Sequence, residues 1–272
     1  MAGIKTINIF IISLIVILAP FSSFASSVDS KLDATYREAQ REYTRKNFKS
    51  ALPLLEKYLT DSKKKKYKRE RLFWVIDQIG RIHLRVNKNP SRALAFFENI
   101  VTDKRLSESE ENDINAWIAA ANDWKRYPLS PEKIKSPAKL FSTGELAFDK
   151  GKKKNKYPAD SAGNGYFLIA ANYLVPFINK YDNSPKLPEA LLMMGEVRLH
   201  LRADPDYWSE NFYLKELIRR YPHSNYSQRA YVLLEMDVRA GYTGSAGEST
   251  PPSLKKMLEN YKMLSIIKPK KK

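Results

Sequence analysis

YLVPFINKY at residues 173–181 and YLKELIRRY at residues 213–221 are two copies of one sequence pattern. The correspondence continues downstream, where Ala190 in the first copy matches Ala230 in the second at the same offset of 40 residues. A fixed period of this length is typical of stacked helical hairpins. One hairpin cannot bury its apolar face alone, so the repeat predicts neighbouring hairpins that complete each other's core.

Outside this repeat, apolar residues recur at the three- and four-residue spacing of a buried helix face. The spacing begins at Ser30 and resumes, after a break at Asn47, in a second amphipathic segment at 51–59. Helices joined by so short a break must lie antiparallel. The same plan recurs at 72–86 and after Pro90. The sequence therefore predicts an all-α chain of stacked antiparallel helical hairpins, with about ten helices.

Helix boundaries and a proline-rich segment suggest how the chain is divided. Ser107 and Glu110 have the spacing of a capping box, which opens a helix. Several prolines follow that helix and indicate a linker or a change of direction. We therefore expect N-terminal hairpins at 26–127, C-terminal hairpins at 128–242 and a flexible basic tail with a short helix at 243–272.

The first residues have the order of a secretory signal peptide. Lys5 precedes an almost purely apolar run at 7–20, and Ser23 and Ala25 are small residues at the expected cleavage position. The apolar run is shorter than the roughly 20 residues that span a bilayer, which favours a cleaved signal over a permanent anchor. We expect residues 1–25 to be removed and the protein to be periplasmic or secreted.

The composition limits the function classes. Apolar residues make up 43% of the 272-residue chain, enough for a packed core, and only 10 residues are glycine, which disfavours turn-rich β folds. The absence of cysteine excludes disulfides, a thiol nucleophile and a cysteine-based zinc site. A formal net charge of +17 suits anionic surfaces. Nucleic acid is an improbable target for an exported chain.

Residues that could carry catalysis are sparse. His83, His200 and His223 each lack a second ligand at a spacing that would form a metal pair on one helix face, so we interpret all three as structural. Gly144 and Gly151 are too far apart for a phosphate-binding loop. No nucleophile-elbow motif occurs. We therefore expect no enzyme activity, no cofactor, no metal and no small-molecule substrate.

Basic residues cluster at connectors between the predicted helices. Such runs are usually solvated, but they can also bind an anionic surface. The candidate residues for an anionic surface are Lys63, Lys64, Lys65, Lys66, Lys68, Arg69, Lys152, Lys153 and Lys154.

Several small and aromatic residues resemble the pattern of tetratricopeptide repeats. In the first hairpin these residues are Ala39, Tyr43, Phe48, Ala51 and Leu55. In the second half, the run 217–224 followed by Ala230 is similar to the repeats of exported envelope proteins, such as the outer-membrane protein assembly lipoprotein and the Tol–Pal-associated coordinator. The missing lipid-attachment cysteine argues against identity with the lipoprotein.

The resemblance implies a function in holding partners. In such repeats the first helix of each hairpin lines a concave face, which would place Tyr36, Gln40 and Tyr43 in a partly exposed peptide groove. The leading hypothesis is a periplasmic scaffold or adaptor that binds another cell-envelope protein. The alternative is a peripheral module that binds an anionic envelope polymer or membrane surface through its basic runs.

The mature protein should begin at Ser26. Mass spectrometry of the exported protein measures this directly, because cleavage after Ala25 removes the whole apolar run. A membrane-bound chain that retains Met1 would contradict the prediction.

Overall fold

The computed structural model describes residues 30–63, 69–127, 130–157, 160–201, 211–245 and 247–267. These residues form eleven α-helices and one small antiparallel ribbon, so the all-α prediction is confirmed. The elements are α1 (Ser30–Thr44), α2 (Phe48–Asp61), α3 (Arg69–Arg81), α4 (Pro90–Ile100), α5 (Glu108–Lys125), α6 (Pro137–Lys154), α7 (Asn164–Lys180), α8 (Leu187–His200), α9 (Phe212–Arg220), α10 (Asn225–Ala240), β1 (Thr243–Gly244), β2 (Gly247–Glu248) and α11 (Pro252–Ser265).

Cap residues set several helix starts as the sequence predicts. The hydroxyl of Ser107 accepts a hydrogen bond from the backbone N–H of Glu110, and the Glu110 carboxylate accepts one from the backbone N–H of Ser107. The side chain of Asn89 accepts from the backbone of Arg92, and Pro90 is the first residue of α4. Each cap satisfies an amide that has no partner within its own helix.

The two repeat copies end their helices in the same way. Tyr181 after α7 has φ −128° and ψ 54°, and Tyr221 after α9 has φ −127° and ψ 56°. Their N–H groups donate to the carbonyls of Phe177 and Leu217, both over 3.0 Å. The following turns differ, because His223 has a positive φ of 60°. The 40-residue sequence repeat is therefore also a repeat of backbone geometry at the helix ends.

Helix α3 does not continue as one regular helix over the predicted range 72–86. It ends at Arg81, and Ile82–Val86 forms a π-helical turn. The carbonyl of Leu84 accepts a hydrogen bond of 2.8 Å from the side chain of Asn172 on α7. The π-helical turn thus forms a hydrogen bond with a helix that is far away in sequence. The spacing of apolar residues could not predict this contact.

Helix α7 lies at the centre of the packing. It contacts α5, α6, α8 and the π-helical turn, and it is buried along most of its length. Pro176 lies inside α7, and the helix continues past it to Lys180 because its apolar residues continue across the proline. Because α7 is apolar on nearly all sides, it must be covered on nearly all sides.

The hydrophobic core is not interrupted at the predicted boundary after Tyr127. One core cluster extends from Leu32 to Leu201 and includes residues of α1 through α8. A second cluster joins α8, α9, α10 and α11 and extends from Leu187 to Leu258. Helix α8 belongs to both clusters and connects them. The short helix predicted near the C-terminus is α11, which packs against α9 and α10.

Ala190 and Ala230 occupy equivalent repeat positions, and neither exposes any surface. Changing either to Phe should lower the free energy of unfolding by about 1–3 kcal/mol, because a larger side chain overpacks the helix contacts. Thermal melts compare these variants with Lys139→Ala, which alters an exposed side chain on α6. Small and equal shifts in all three variants would contradict the close packing.

Candidate functional site

An open groove of about 520 Å³ lies between α6, α8 and α10. Phe148 from α6 and Leu192 and Met193 from α8 are buried side chains that line it. Helix α8 contacts α6 on one side and α10 on the other, so three helices hold these residues in place. We call this feature the α6–α8–α10 groove. Its apolar lining can accept an apolar side chain of a bound segment.

Charged side chains of both signs surround this apolar lining. The Lys152 ammonium lies 2.8 Å from the Glu196 carboxylate and 5.3 Å from the centre of the Phe148 ring. Arg229 of α10 lies 3.9 Å from the same carboxylate. The remaining charged lining residues are Asp149, Lys153 and Glu189. The groove therefore presents paired charges above an apolar lining, which suits a peptide with polar and apolar positions.

The groove residues follow the sequence repeat. Leu192 on α8 and Val232 on α10 are 40 residues apart, yet Leu192 is buried and Val232 is 59% exposed. Met236, at the position equivalent to Glu196, is also exposed. The outer side of α10 therefore exposes apolar side chains at positions where α8 has a buried or a charged one. Sequence reasoning missed this feature, although the repeat could have aligned Leu192 with Val232.

The residues predicted to form a peptide groove on α1 are engaged within the protein instead. Tyr43 is only 5% exposed, so the prediction that it is partly exposed is wrong. Gln40 exchanges two hydrogen bonds of 2.8 Å with Gln78 of α3. The Arg71 guanidinium lies 4.4 Å from the centre of the Tyr36 ring, and burial raises the pKa of Tyr36. Side chains of α3 therefore contact this side of α1, although Tyr36 and Gln40 remain partly exposed as predicted.

Tyr36 and Tyr43 also make aromatic contacts with α2. Tyr36 packs against Tyr58 of α2 with ring centres 5.2 Å apart, and Tyr43 packs edge-on against Phe48 at 5.5 Å. Arg71 also forms an ion pair with Asp33 of α1. The aromatic side chains stabilise the first hairpin, and a ligand would have to displace these contacts.

The basic runs have different environments. Lys63 is exposed at the end of α2, and its charge contributes to lowering the pKa of Asp103, after the larger effect of hydrogen bonds from Arg105. Lys152, Lys153 and Lys154 are all exposed at the end of α6, and Lys152 is paired with Glu196 as described. Cations at this position interact favourably with the negative end of the helix dipole. The candidates outside the described side chains are Lys64, Lys65, Lys66, Lys68 and Arg69.

The three histidines occupy unrelated positions. His83 is buried, and burial together with the charge of Arg92 lowers its pKa. His200 stacks on Phe167 with ring centres 4.4 Å apart. His223 lies in the turn between α9 and α10. Across the described residues, no group of three potential metal ligands comes together, and no helix has the length and apolarity needed to cross a membrane.

A polar network joins α5, α6 and α7. The Asp123 carboxylate accepts hydrogen bonds of 2.8 Å from the Lys150 ammonium and from the Tyr166 hydroxyl. Burial tends to raise the pKa of Asp123, but these two donors outweigh it and lower that pKa. Burial raises the pKa of Tyr127 to about 12 and also raises that of Tyr166. The tyrosines thus stay protonated while the aspartate stays charged, which favours a role in linking helices.

Comparison of the chain with known protein families, with characterised proteins and with solved structures finds no match in any of the three. Function must therefore be inferred from the residues of this chain. The α6–α8–α10 groove combines an apolar lining and a charged rim with contributions from both repeat copies.

Replacing Asp123→Asn should lower stability at neutral pH by about 1 kcal/mol, because a charged acceptor of two hydrogen bonds is lost. The folded-state pKa of Asp123 lies below its unfolded value. Its stabilising contribution is therefore present at neutral pH and disappears as the pH falls through the folded-state pKa, below the ordinary value of about 3.9.

Chemical denaturation as a function of pH measures this effect. The stability difference between the wild type and Asp123→Asn should shrink on acidification. Asp149→Asn, at an exposed position on α6, is the matched control and should change the free energy of unfolding at neutral pH little. A difference for Asp123→Asn that stays constant down to acidic pH would refute the network's role.

Proposed function

We propose that this chain is a periplasmic, tetratricopeptide-like scaffold that holds a segment of another cell-envelope protein in the α6–α8–α10 groove. In this proposal α6, α8 and α10 are the first helices of three stacked hairpins, and α7, α9 and α11 are the second helices. The observation that carries the proposal is the groove itself, with its apolar lining and a rim of paired charges.

From α6 to α11 each helix packs against the next one in sequence, as this pairing requires, although α9 packs at least as closely on α10 as on α8. Helix α6 packs along α7, α8 contacts α9, and α10 contacts α11. Contacts from α6 to α8 and from α8 to α10 place the proposed first helices next to one another. Concave surfaces made by such neighbouring helices are a common binding surface of helical repeat proteins.

The mixed charge of the groove favours a protein segment over a polyanion. Asp149, Glu189 and Glu196 offset Lys152, Lys153 and Arg229 along the lining, although the chain as a whole is strongly basic. A polyanion would be repelled by the three carboxylates. An amphipathic peptide can place acidic and basic side chains beside groups of opposite sign and so gain specificity.

Site-specific crosslinking tests the proposal. The chain has no cysteine, so Lys153→Cys gives a single attachment point for a photo-crosslinker on the groove rim. Crosslinking in the cell envelope should yield a discrete adduct with one protein, which mass spectrometry identifies. The same crosslinker at Lys139→Cys, on an exposed part of α6, should not yield that adduct.

Binding of the identified protein is then measured with purified components. The double variant Lys153→Glu and Arg229→Glu should weaken binding at least tenfold, because two rim cations become anions, one of them beside Glu196. The matched control, Lys133→Glu and Lys139→Glu, makes the same change in net charge at exposed positions elsewhere. Equal weakening by both double variants would indicate general electrostatic attraction and overturn the proposal. The same conclusion would follow if high salt were enough to abolish binding of the wild type.

A further inference from the structure

The end of α11 exposes a group of large apolar side chains. Met263 is 67% exposed, Ile266 is 48% exposed and Ile267 is 44% exposed. We call these three residues the α11 tip. Three large apolar residues within five positions form a patch, and such patches on soluble domains commonly mark a contact surface.

The α11 tip is held in place by contacts with the rest of the fold. The backbone N–H of His223 donates to the carbonyl of Leu264 over 2.7 Å, and its ring Nδ1 lies 2.8 Å from the carbonyl oxygen of Ile266. Leu258 on the opposite side of α11 is buried in the second core cluster. The fold therefore fixes which side of α11 faces outward, and the tip lies on that side.

Basic side chains surround the same outward side. Lys255, Lys256 and Lys262 are exposed on α11, against one exposed acid, Glu259. Arg219 and Arg220 lie on the last turn of α9, just before the turn that contains His223. Apolar side chains at a helix end with lysines along the exposed side are the combination by which peripheral helices bind anionic membranes.

We propose that the α11 tip docks on an anionic lipid surface, where Met263, Ile266 and Ile267 enter the headgroup boundary and the lysines contact lipid phosphates. The charge of the site selects this occupant, because the exposed cations outnumber the one exposed acid on α11. This site is separate from the α6–α8–α10 groove and does not depend on its function.

A fluorescent label placed at the tip tests the proposal in the full chain. Met263→Cys creates one labelling site for an environment-sensitive fluorophore, since the chain has no other cysteine. Vesicles of phosphatidylglycerol mixed with phosphatidylcholine should raise the fluorescence roughly threefold or more as the label leaves water. Pure phosphatidylcholine vesicles should produce little change. The label at Val232→Cys, an exposed apolar position on α10, is the matched control.

Charge variants separate this docking from other membrane contacts. On the Met263→Cys background, changing Lys255, Lys256 and Lys262 to Gln should weaken the apparent affinity for anionic vesicles by more than about tenfold, because each lysine near such a surface strengthens binding roughly fivefold. Changing Lys133, Lys135 and Lys139 to Gln removes the same charge elsewhere and should have little effect.

Three results would overturn the proposal. They are the absence of a response at position 263, an equal response at position 232, and a response to soluble polyphosphate that matches the response to vesicles. The last would show that the site binds phosphate polymers without a lipid surface. Because the label reports on position 263 alone, membrane contact by the apolar N-terminal segment cannot produce the expected result. Failure here would also leave groove crosslinking unaffected.

Discussion

The burial of α7 is the constraint on which the rest of the structure depends. This helix is apolar on nearly every side, so α5, α6, α8 and the π-helical turn all pack against it. Glycines on α6 allow the closest of these contacts, since a Cβ at Gly144 would lie 2.7 Å from the Cγ atom of Leu174. A Cβ at Gly151 would lie equally close to the ring of Phe167. These glycines fix α6 against α7 and thereby place Lys152 in the groove.

The distribution of charge separates the two candidate surfaces. The α6–α8–α10 groove carries acids and bases in equal number, whereas α11 carries an excess of lysine beside exposed apolar groups. Balanced charge at short range favours selection among peptide sequences, while an unbalanced cationic surface attracts any anionic surface and loses that attraction with salt. The net charge of the whole chain does not show this difference between the groove and α11.

Local sequence predicted local structure well. The capping box predicted at Ser107 follows from chemistry within a few residues and is confirmed. The first-turn position of Pro90 and the continuation of α7 through Pro176 have equally local causes. The exposure of Tyr43 could not be predicted in this way, because it depends on how neighbouring helices pack. The groove was missed for the same reason, since Leu192 and Arg229 come together only when α8 and α10 are neighbours.

The α11 tip departs from what an end helix requires. A helix that closes a stack needs one apolar side against its neighbour and a polar outer side for solubility. Helix α11 meets this requirement up to Lys262, with Leu258 buried and lysines outside. The last turn and the two residues after it do not, because Met263, Ile266 and Ile267 add nothing to the buried core while exposing apolar surface to water. Packing against α9 and α10 therefore explains the inner side of α11, and the outer apolar end calls for a separate explanation, which the proposed docking on lipid would provide.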